Sequence, residues 1–426
     1  MAIQHVGRYT GKQVNVVNFE PDDTSTDALG RLRVAEANTV AGYSFEYGLA
    51  PLVFSTKTSG GGTVTNTPTT PSAKLNVGTT SGDEAIIQTR RHIKYTPGRG
   101  YFINLSGVFG AAKTNVRKRW GYFAEDDGIF FEQTSAGLGV VIRSSVSGSP
   151  VDTKFMQTRA QSSQCWNIDP MDGTGPSGVT LDTTKHNLYV IDFTWHGAGR
   201  IRFGVLIGGR TLMFHEYAGG NVNTTPWMQG PSRPVRVEIT NTGTAGSSTS
   251  IDFVCFAAQR ESNDRPFPTH PFGASRGRSA VTVGASYVPL ISIQPKLLFN
   301  TSLPNRIQIV PEEISIKCGA VDIYVAVFLN PALTGASFVS ADSNSATNYD
   351  ITASAISGGT KIKELLVTAN GNFEMDAGAA RDNFGLDMWT LGLDIAGSTA
   401  DIISVAALST GGNSSTFAAI NWHEFH

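Results

Sequence analysis

Apolar and polar residues alternate over short runs through most of the chain from residue 85 onwards. The clearest run is residues 187–195, where Tyr189, Ile191 and Phe193 fall on one face of an extended chain. Alternation with a period of two is typical of β-strands, and we find no apolar repeat with helical period over three turns. The pattern predicts strands at residues 86–95, 101–108, 116–123, 129–133, 140–144, 187–195, 200–207, 211–217, 235–241 and 250–258.

Short strands separated by turn residues favour two sheets packed face to face, as in jelly-roll or lectin-like β-sandwiches. The alternation stops at a proline-rich stretch and begins again at residue 281. The second part predicts strands at residues 287–293, 307–310, 314–317, 321–329, 362–367, 388–394 and 402–407. We therefore predict an all-β chain with a central β-sandwich domain (81–262), a Pro-rich linker (263–280) and a C-terminal β-sandwich domain (281–426).

Residues 1–80 are interpreted as an extended N-terminal attachment arm that precedes the first sandwich. Within it, the pattern predicts one short strand at residues 13–19 and a strand-like stretch at residues 29–34. Residues 56–71 consist almost entirely of Gly, Ser, Thr, Asn and Pro, which cannot bury enough apolar surface to offset the entropy of ordering. That stretch is either a disordered loop or a segment that neighbouring subunits order.

The composition of the chain argues against several classes of partner. Charged residues make up 16% of the 426 residues, and the formal net charge is −2, so we expect neither nucleic acid nor a membrane surface as a partner. The three cysteines, Cys165, Cys255 and Cys318, form no disulfide or metal-ligand pattern, which fits a reducing compartment. The first residues lack the apolar core of a signal peptide, and no apolar run approaches a membrane span of roughly 18 residues.

Residues 165–209 hold the most distinctive passage of the chain, a loop rich in Asp and Gly followed by two predicted strands. Asp169 and Asp172 lie in the sequence DPMDGTG, where closely spaced oxygens would suit a hard cation such as a structural calcium ion. The spacing does not match the calcium-loop motif. Asp-Gly and Asp-Pro pairs are also ordinary turn formers. The sequence leaves both interpretations open, a structural calcium site and ordinary turns. Apart from such an ion, we expect no cofactor.

Acidic and aromatic residues of the central domain also suit carbohydrate chemistry. Glycoside hydrolysis uses two carboxylates, and the candidates on or near the predicted strands are Asp169, Asp192, Glu216 and Glu238. The aromatic side chains that could stack on a sugar are Trp166, Trp195 and Trp227. No motif joins two of the carboxylates into a pair, and there is no nucleophile elbow, Walker loop or HExxH motif. We therefore predict no catalytic residues.

A basic stretch runs from residue 85 to 119 without any Asp or Glu. On the outward faces of strands it would form either a solvated sheet face or a docking interface for an acidic protein surface or another copy of the chain. The residues proposed for such an interface are Arg90, Arg91, Lys94, Arg117, Lys118 and Arg119.

Three segments resemble virion structural proteins of tailed bacteriophages. They are DALGRLRV at residues 27–34, GYFAEDDGIFFE at 121–132 and WNIDPMDGTGPSGVTLD at 166–182. The downstream IDFTWHGAGRIRFG at 191–204 and LNPALTGASF at 329–338 also resemble that group. The resemblance spans most of the chain and includes no catalytic signature. It implies a non-enzymatic particle protein that is assembled in the cytoplasm of the host bacterium and exposed on the virion surface.

From this resemblance we expect a capsid-decorating or head-anchored fibre-like protein, attached by its N-terminal arm to other virion proteins of the capsid or tail. We expect a homo-oligomer, and a trimer by analogy with other exposed phage proteins. One alternative is a tail or baseplate receptor-binding protein that recognises a host surface polysaccharide. Another is a polysaccharide-degrading virion enzyme.

Overall fold

The structure is a computed structural model, and it describes residues 4–9, 12–17, 26–67, 69–157, 164–261, 270–299, 303–376 and 390–425. Strands make up 55% of the structure and the described residues contain no helix, which confirms the all-β fold class, and the sheets confirm the predicted β-sandwich architecture. In the described residues there is accordingly no helix that is long and apolar enough to cross a bilayer. The chain divides into two compact units, Met1–Pro266 and Phe267–His426.

The described part of the first unit contains seventeen strands. In chain order they are β1 (Gln4–Tyr9), β2 (Lys12–Val17), β3 (Ala37–Ser44), β4 (Phe54–Ser59), β5 (Thr63–Thr67), β6 (Ser72–Val77), β7 (Glu84–Thr89), β8 (Tyr101–Val108), β9 (Val116–Phe123), β10 (Gly128–Thr134), β11 (Gly137–Ser144), β12 (Val151–Met156), β13 (Asn187–Phe193), β14 (Arg200–Ile207), β15 (Arg210–Ala218), β16 (Val235–Asn241) and β17 (Thr249–Glu261). All the strand pairs within this unit are antiparallel.

Two large sheets form the sandwich of this unit. One has the order β12-β11-β10-β9-β16-β7-β4, and the other has the order β15-β14-β13-β8-β17-β6-β5, with β3 also paired to β17. Alternate side chains of both sheets meet in one core, where the rings of Trp120 and Tyr189 lie 5.2 Å apart between their centroids. Strands β1 and β2 form a separate two-stranded sheet.

The structure corrects the prediction of an extended arm over residues 1–80. Strands β3, β5 and β6 belong to one large sheet and β4 belongs to the other. The polar residues at 56–67 are ordered within the chain, because β4 pairs with β7 and β5 pairs with β6. The aromatic side chains of this region supply the driving force, since Phe45 and Phe54 are buried in the core with their centroids 5.0 Å apart.

The second unit has fifteen strands in its described residues. They are β18 (His270–Ser275), β19 (Val281–Val283), β20 (Val288–Pro295), β21 (Leu298–Phe299), β22 (Leu303–Pro304), β23 (Gln308–Lys317), β24 (Ile323–Leu329), β25 (Ala332–Thr334), β26 (Val339–Ser340), β27 (Thr347–Asp350), β28 (Ala355–Ser357), β29 (Thr360–Val367), β30 (Asn372–Asp376), β31 (Ile403–Ser409) and β32 (Ser414–Phe425). Its two main sheets have the orders β18-β32-β23-β30, with β19 on β32, and β26-β27-β20-β31-β24-β29.

The division between the units falls inside the predicted linker at residues 263–280. The later part of that segment is not a linker, because β18 pairs with the C-terminal strand β32 from His270 to Ser275. Residues 262–269 lie outside the described residues. The core of the second unit is separate from that of the first and includes Trp422 and Ile291.

Candidate functional site

The outer face of the seven-stranded sheet carries a network of ion pairs instead of a solvated surface. On β9, Trp120 points into the core, so the neighbouring Arg119 points away from it. The Arg119 guanidinium lies between two carboxylates of the adjacent strands, with Nε 2.7 Å from Glu132 Oε2 and Nη1 3.0 Å from Glu238 Oε1. Strand register explains the contact, because Arg119 is directly opposite Glu132 on β10 and Glu238 on β16.

The network extends across the sheet from β16 to β12. Arg236 contacts Glu238 at 2.7 Å and Glu125 at 3.0 Å, both between guanidinium nitrogen and carboxylate oxygen. Arg143 contacts Asp152 at 2.7 Å. On the β12 side of the sheet, Lys154 Nζ lies 2.7 Å from Glu132 Oε1. We call these residues, together with Arg119 and Arg117, the outer ionic network.

Aromatic rings lie beneath the arginines of the outer ionic network. The Phe130 centroid is 5.2 Å from the guanidinium carbon of Arg119 and 5.3 Å from that of Arg143. Arg236 lies in the same way 5.4 Å from the ring of Phe123. Phe123 and Phe130 are fully buried although they are on the outer face. The arginine planes therefore cover apolar surface while their charges meet carboxylates.

The electrostatics of this network do not suit a general acid. Burial alone would raise the pKa of Glu238, but the charges of Arg236, Arg119 and Arg117 outweigh it and lower the pKa to about 2. A glycosidase acid needs a raised pKa so that it carries a proton near neutral pH. Glu238 is ionised and already paired, which leaves it without a proton to donate.

The predicted basic interface is wrong for two of its six residues. Lys118 points towards the core with Trp120 and donates from Nζ to the carbonyl oxygens of Phe109 and Ala111, and Arg119 is buried in the outer ionic network. The carboxylates that neutralise Arg119 are Glu132 on the next strand and Glu238 on β16, and both lie outside the basic stretch at residues 85–119.

The other four residues retain some exposure. Arg91 is exposed, whereas Arg90, Lys94 and Arg117 are half-buried. Arg90 donates from Nε to the carbonyl oxygen of Pro51 at 2.7 Å, so this arginine helps to hold the turn before β4. Burial lowers the pKa of Lys94 to about 8. Their part in an interface stays a prediction.

A second ionic cluster lies on the outer face of the eight-stranded sheet. Asp192 on β13 is directly opposite Arg202 on β14, and the two fully buried side chains form an ion pair. Arg202 also donates from Nη2 to the carbonyl oxygen of Thr26 at 2.5 Å. Arg33 reaches the same carboxylate, with Nη2 2.6 Å from Asp192 Oδ1. Residues 26–33 therefore lie over this part of the sheet.

The segment at residues 26–34 includes DALGRLRV, and it is a turn. The strand predicted at residues 29–34 is not present. Asp27 Oδ1 accepts hydrogen bonds from the backbone N–H groups of Leu29 at 2.9 Å and Arg31 at 2.8 Å. Gly30 has a φ of 77°, a left-handed conformation that favours glycine. Arg200 donates to the carbonyl oxygen of Asp27 at 2.8 Å. We call residues 26–34 the docked segment.

The Asp- and Gly-rich loop is built as a series of turns. Asp169 is buried and accepts hydrogen bonds from the N–H of Met171 at 2.7 Å and of Ser177 at 2.8 Å. Asp172 is exposed and accepts one from the N–H of Thr174 at 2.9 Å. This geometry favours the turn-forming interpretation. Among the described residues, no group of three His, Cys, Asp or Glu side chains could hold a metal ion.

The tryptophans considered for sugar stacking are mostly structural. Trp166 and Trp227 are buried in the core, and Trp166 stacks on Phe214 with centroids 4.0 Å apart. Trp195 is half-buried and donates from Nε1 to the carbonyl oxygen of Met228 at 3.0 Å.

The pairing of Arg119 with Glu132 and Glu238 was not predicted from the sequence. The available signal is that these three side chains fall on the outward-facing positions of three adjacent strands.

The geometry of the first unit defines an all-β fold of the β-sandwich class. The chain is similar to the legume lectin-like domain from Entamoeba histolytica, covering 53% of this chain and 98% of that domain, at 10% identity and a TM-score of 0.31. It is similar to lectin I-B4 from Griffonia simplicifolia over 52% of this chain and 100% of the lectin, at 8% identity and a TM-score of 0.29. A β-1,3-glucanase from Mycobacterium marinum is similar over 52% of this chain and 98% of the enzyme, at 9% identity and a TM-score of 0.34. No family model and no curated protein matches the chain.

Proposed function

We propose that the protein is a non-enzymatic structural component of a tailed-bacteriophage particle. Its position would be the outer surface of the head, as a decoration or a head-anchored fibre. Three segments of the sequence, at residues 27–34, 121–132 and 166–182, support this role through their resemblance to virion proteins. The three cysteines are all free thiols, which is consistent with assembly in a reducing cytoplasm.

The main structural support for this proposal is that the docked segment is held on its own sandwich by hydrogen bonds and an ion pair. Arg202 and Arg200 hold its backbone carbonyls, and Asp192 holds Arg33. The residues before Thr26 therefore begin from a fixed point on the sandwich. In this proposal the attachment region is residues 1–25, and the sandwich faces outward.

The positions of the candidate carboxylates support a non-enzymatic role. Asp192 is fully buried beneath the docked segment and is paired with Arg202 and Arg33. Glu238 is on the outer face of the opposite sheet, so the two cannot act on one glycosidic bond. Glu216 is paired with Arg200 at 3.2 Å. A polysaccharide-degrading enzyme would need an accessible pair of carboxylates with different pKa values.

Particle imaging tests the proposal directly. Phage particles carrying this protein with a C-terminal tag should show label on the head surface. Deletion of residues 1–25 should abolish incorporation into particles, while the sandwich keeps the β-rich circular dichroism spectrum of the full chain. Density at the tail tip alone would contradict head decoration, and incorporation of the truncated protein would contradict attachment through residues 1–25.

A receptor-binding role in the tail or baseplate is the second candidate, and one surface of the second unit favours it. Tyr324 is 43% exposed and lies opposite Leu366, which is 51% exposed, on the outer face of the six-stranded sheet. Beside this face, the half-buried rings of Tyr287, which directly precedes β20, and of Phe328 on β24 have centroids 5.4 Å apart. Exposed aromatic rings on a sheet face suit stacking against the apolar faces of a sugar.

Binding to host surface polysaccharide separates the two candidates. A glycan array or immobilised lipopolysaccharide should retain the full chain in the receptor-binding case, and the variant Tyr324→Ala should lose that retention. Tyr47→Ala is the matched control, because Tyr47 is 90% exposed but belongs to the first unit. Release of reducing ends from a host glycan would instead support the enzyme that we argue against.

A further inference from the structure

One arginine of the outer ionic network lacks a hydrogen-bond partner among the described residues. Arg117 Nε is buried and unpaired, and Nη2 lies 4.0 Å from Glu238 Oε1, which is too far for a hydrogen bond. The side chain is 32% exposed, so a ligand can approach it from solvent. Because a guanidinium has five N–H donors and their burial without acceptors costs free energy, Arg117 is short of an acceptor.

The carboxylates beside Arg117 are already held by other cations. Glu238 accepts hydrogen bonds from Arg119 Nη1 at 3.0 Å and from Arg236 Nε at 2.9 Å, one on each oxygen. The two oxygens of Glu132 likewise accept bonds from two other cations of the network, both at 2.7 Å. Arg117 therefore gains a close carboxylate of the network only by taking it from a cation that holds it now.

The outer ionic network has one more cation than it has carboxylates. Its cations are Arg117, Arg119, Arg143, Arg236 and Lys154, and its carboxylates are Glu125, Glu132, Asp152 and Glu238. Burial lowers the pKa of Arg117, and the neighbouring charge of Arg119 lowers it further. One added carboxylate beside Arg117 would balance the network and supply the acceptor that this arginine lacks.

Hydroxyl side chains flank Arg117 on the outer face of the sheet. Thr240 on β16 is directly opposite Arg117. On the other side, Gln133 of β10 pairs with Lys118, so the next residue, Thr134, falls beside Arg117. Both threonines are half-buried, and a threonine hydroxyl can donate to an anion. The strand register therefore places further donors next to the guanidinium.

Two more cations of this outer face are partly exposed. Lys57 and Lys154 have side chains that are 47% and 43% exposed, and each is paired with one carboxylate of the chain. A single exposed ion pair contributes about 1 kcal/mol or less, so one free carboxylate would bind weakly at Arg117 alone. A peptide with several carboxylates can also be attracted by the two lysines.

We infer that Arg117 anchors a binding site for a carboxylate side chain of an acidic peptide segment that belongs to another protein. The guanidinium donates to this carboxylate, and the hydroxyls of Thr134 and Thr240 donate to its remaining lone pairs. A carboxylate fits better than a phosphate, because one negative charge balances the network whereas a phosphate monoester carries nearly two. The inference goes beyond the proposed function and does not depend on it.

Fluorescence anisotropy with the full chain tests the site. The probe is a labelled hexapeptide of alternating Glu and Ser, and the same peptide with Gln in place of Glu is the ligand control. At low ionic strength the parent chain should bind only the Glu peptide, and Arg117→Gln should raise the Kd at least about tenfold. The matched control Arg210→Gln, at an exposed arginine of the same unit, should leave the Kd unchanged. An equal Kd for Arg117→Gln and the parent, or no binding by the parent, would overturn the inference.

Thermal unfolding distinguishes binding from a structural role of Arg117. Arg117→Gln should leave the Tm unchanged or raise it, because the substitution removes no hydrogen bond and relieves repulsion from Arg119. A fall in Tm of more than about 4 °C would assign Arg117 to the support of the fold and would contradict the inference.

Competition and light scattering identify the kind of ligand. At constant ionic strength, acetate should displace the Glu peptide and chloride should not. Displacement by inorganic phosphate at about a tenfold lower concentration than acetate would show a phosphate site and overturn the assignment of a carboxylate. Self-association of the parent chain that is lost in Arg117→Gln would show that the partner is a second copy, which would overturn the assignment to another protein.

Discussion

A buried histidine on β15 makes the stability of the first unit sensitive to acid. His215 is 2% exposed, and neither ring nitrogen has a hydrogen-bond partner in the described structure. Its ring lies 4.4 Å from that of Phe155 and 6.2 Å from that of Phe203, measured between centroids. Burial among these rings lowers the pKa of His215 from its ordinary value of 6.5 to about 4.

The sign and size of the effect follow from proton binding in the two states. Between pH 6.5 and 4 the unfolded chain binds a proton at this residue and the folded chain does not, so stability falls as the pH falls through this window. Each pKa unit corresponds to about 1.4 kcal/mol, so the loss amounts to about 3 kcal/mol below pH 4. Above pH 6.5 the residue contributes no pH dependence.

Urea unfolding from pH 7.5 to 4 measures this contribution. The variant His215→Phe should lose about 3 kcal/mol less than the parent chain over this range, because it has no group to protonate among the aromatic rings. His186→Phe is the control, because His186 is exposed, and it should keep the slope of the parent chain. Equal slopes for His215→Phe and the parent, or an NMR titration of His215 near 6.5, would refute the reasoning.

Three other changes test the ionic network, the docked segment and the Asp-rich loop. Arg119→Leu leaves buried carboxylates without their arginine and should lower the free energy of unfolding by about 3 kcal/mol or more in urea, whereas the exposed Arg210→Leu should change it by less than about 0.5 kcal/mol. Gly30→Ala should cost about 1 kcal/mol and speed proteolysis near the docked segment, because φ is 77° there, while Gly246→Ala, where an added Cβ also meets open space, should not. Asp169→Ala should lower the Tm equally with calcium or with a chelator, because it removes the acceptor of two backbone N–H groups. A calcium-dependent rise in Tm that disappears in this variant would instead support a cation site.

Strand positions were predictable because the alternation of apolar residues is local. Strands Tyr101–Val108, Val116–Phe123, Arg200–Ile207 and Val235–Asn241 begin and end at the predicted residues. Strand β12 was missed because its sequence, VDTKFM, is short and offers only two large apolar residues, Val151 and Phe155, on one face, while two charged residues mark it as an edge. Local pattern also failed at residues 56–67, whose order comes from backbone pairing with β6 and β7 and not from their own side chains.

The candidate site was harder to predict than the strands, because it depends on which strands are neighbours. Glu132 is 13 residues and Glu238 is 119 residues from Arg119, and the three meet only through the register of β10, β9 and β16. A window of neighbouring residues therefore showed Arg119 as part of a basic stretch. The same limit applies to Asp192, whose burial depends on a segment about 160 residues earlier in the chain.

The docked segment has a mechanical consequence. Tension applied to residues 1–25 would reach the sandwich through the contacts of Arg202 with Thr26 and of Arg33 with Asp192. These contacts lead to β14 and β13, which are joined to each other along most of their length. Several charge-assisted bonds would have to break together before β3 was pulled. A force at the N-terminus would therefore be spread over the sheet instead of peeling its edge strand.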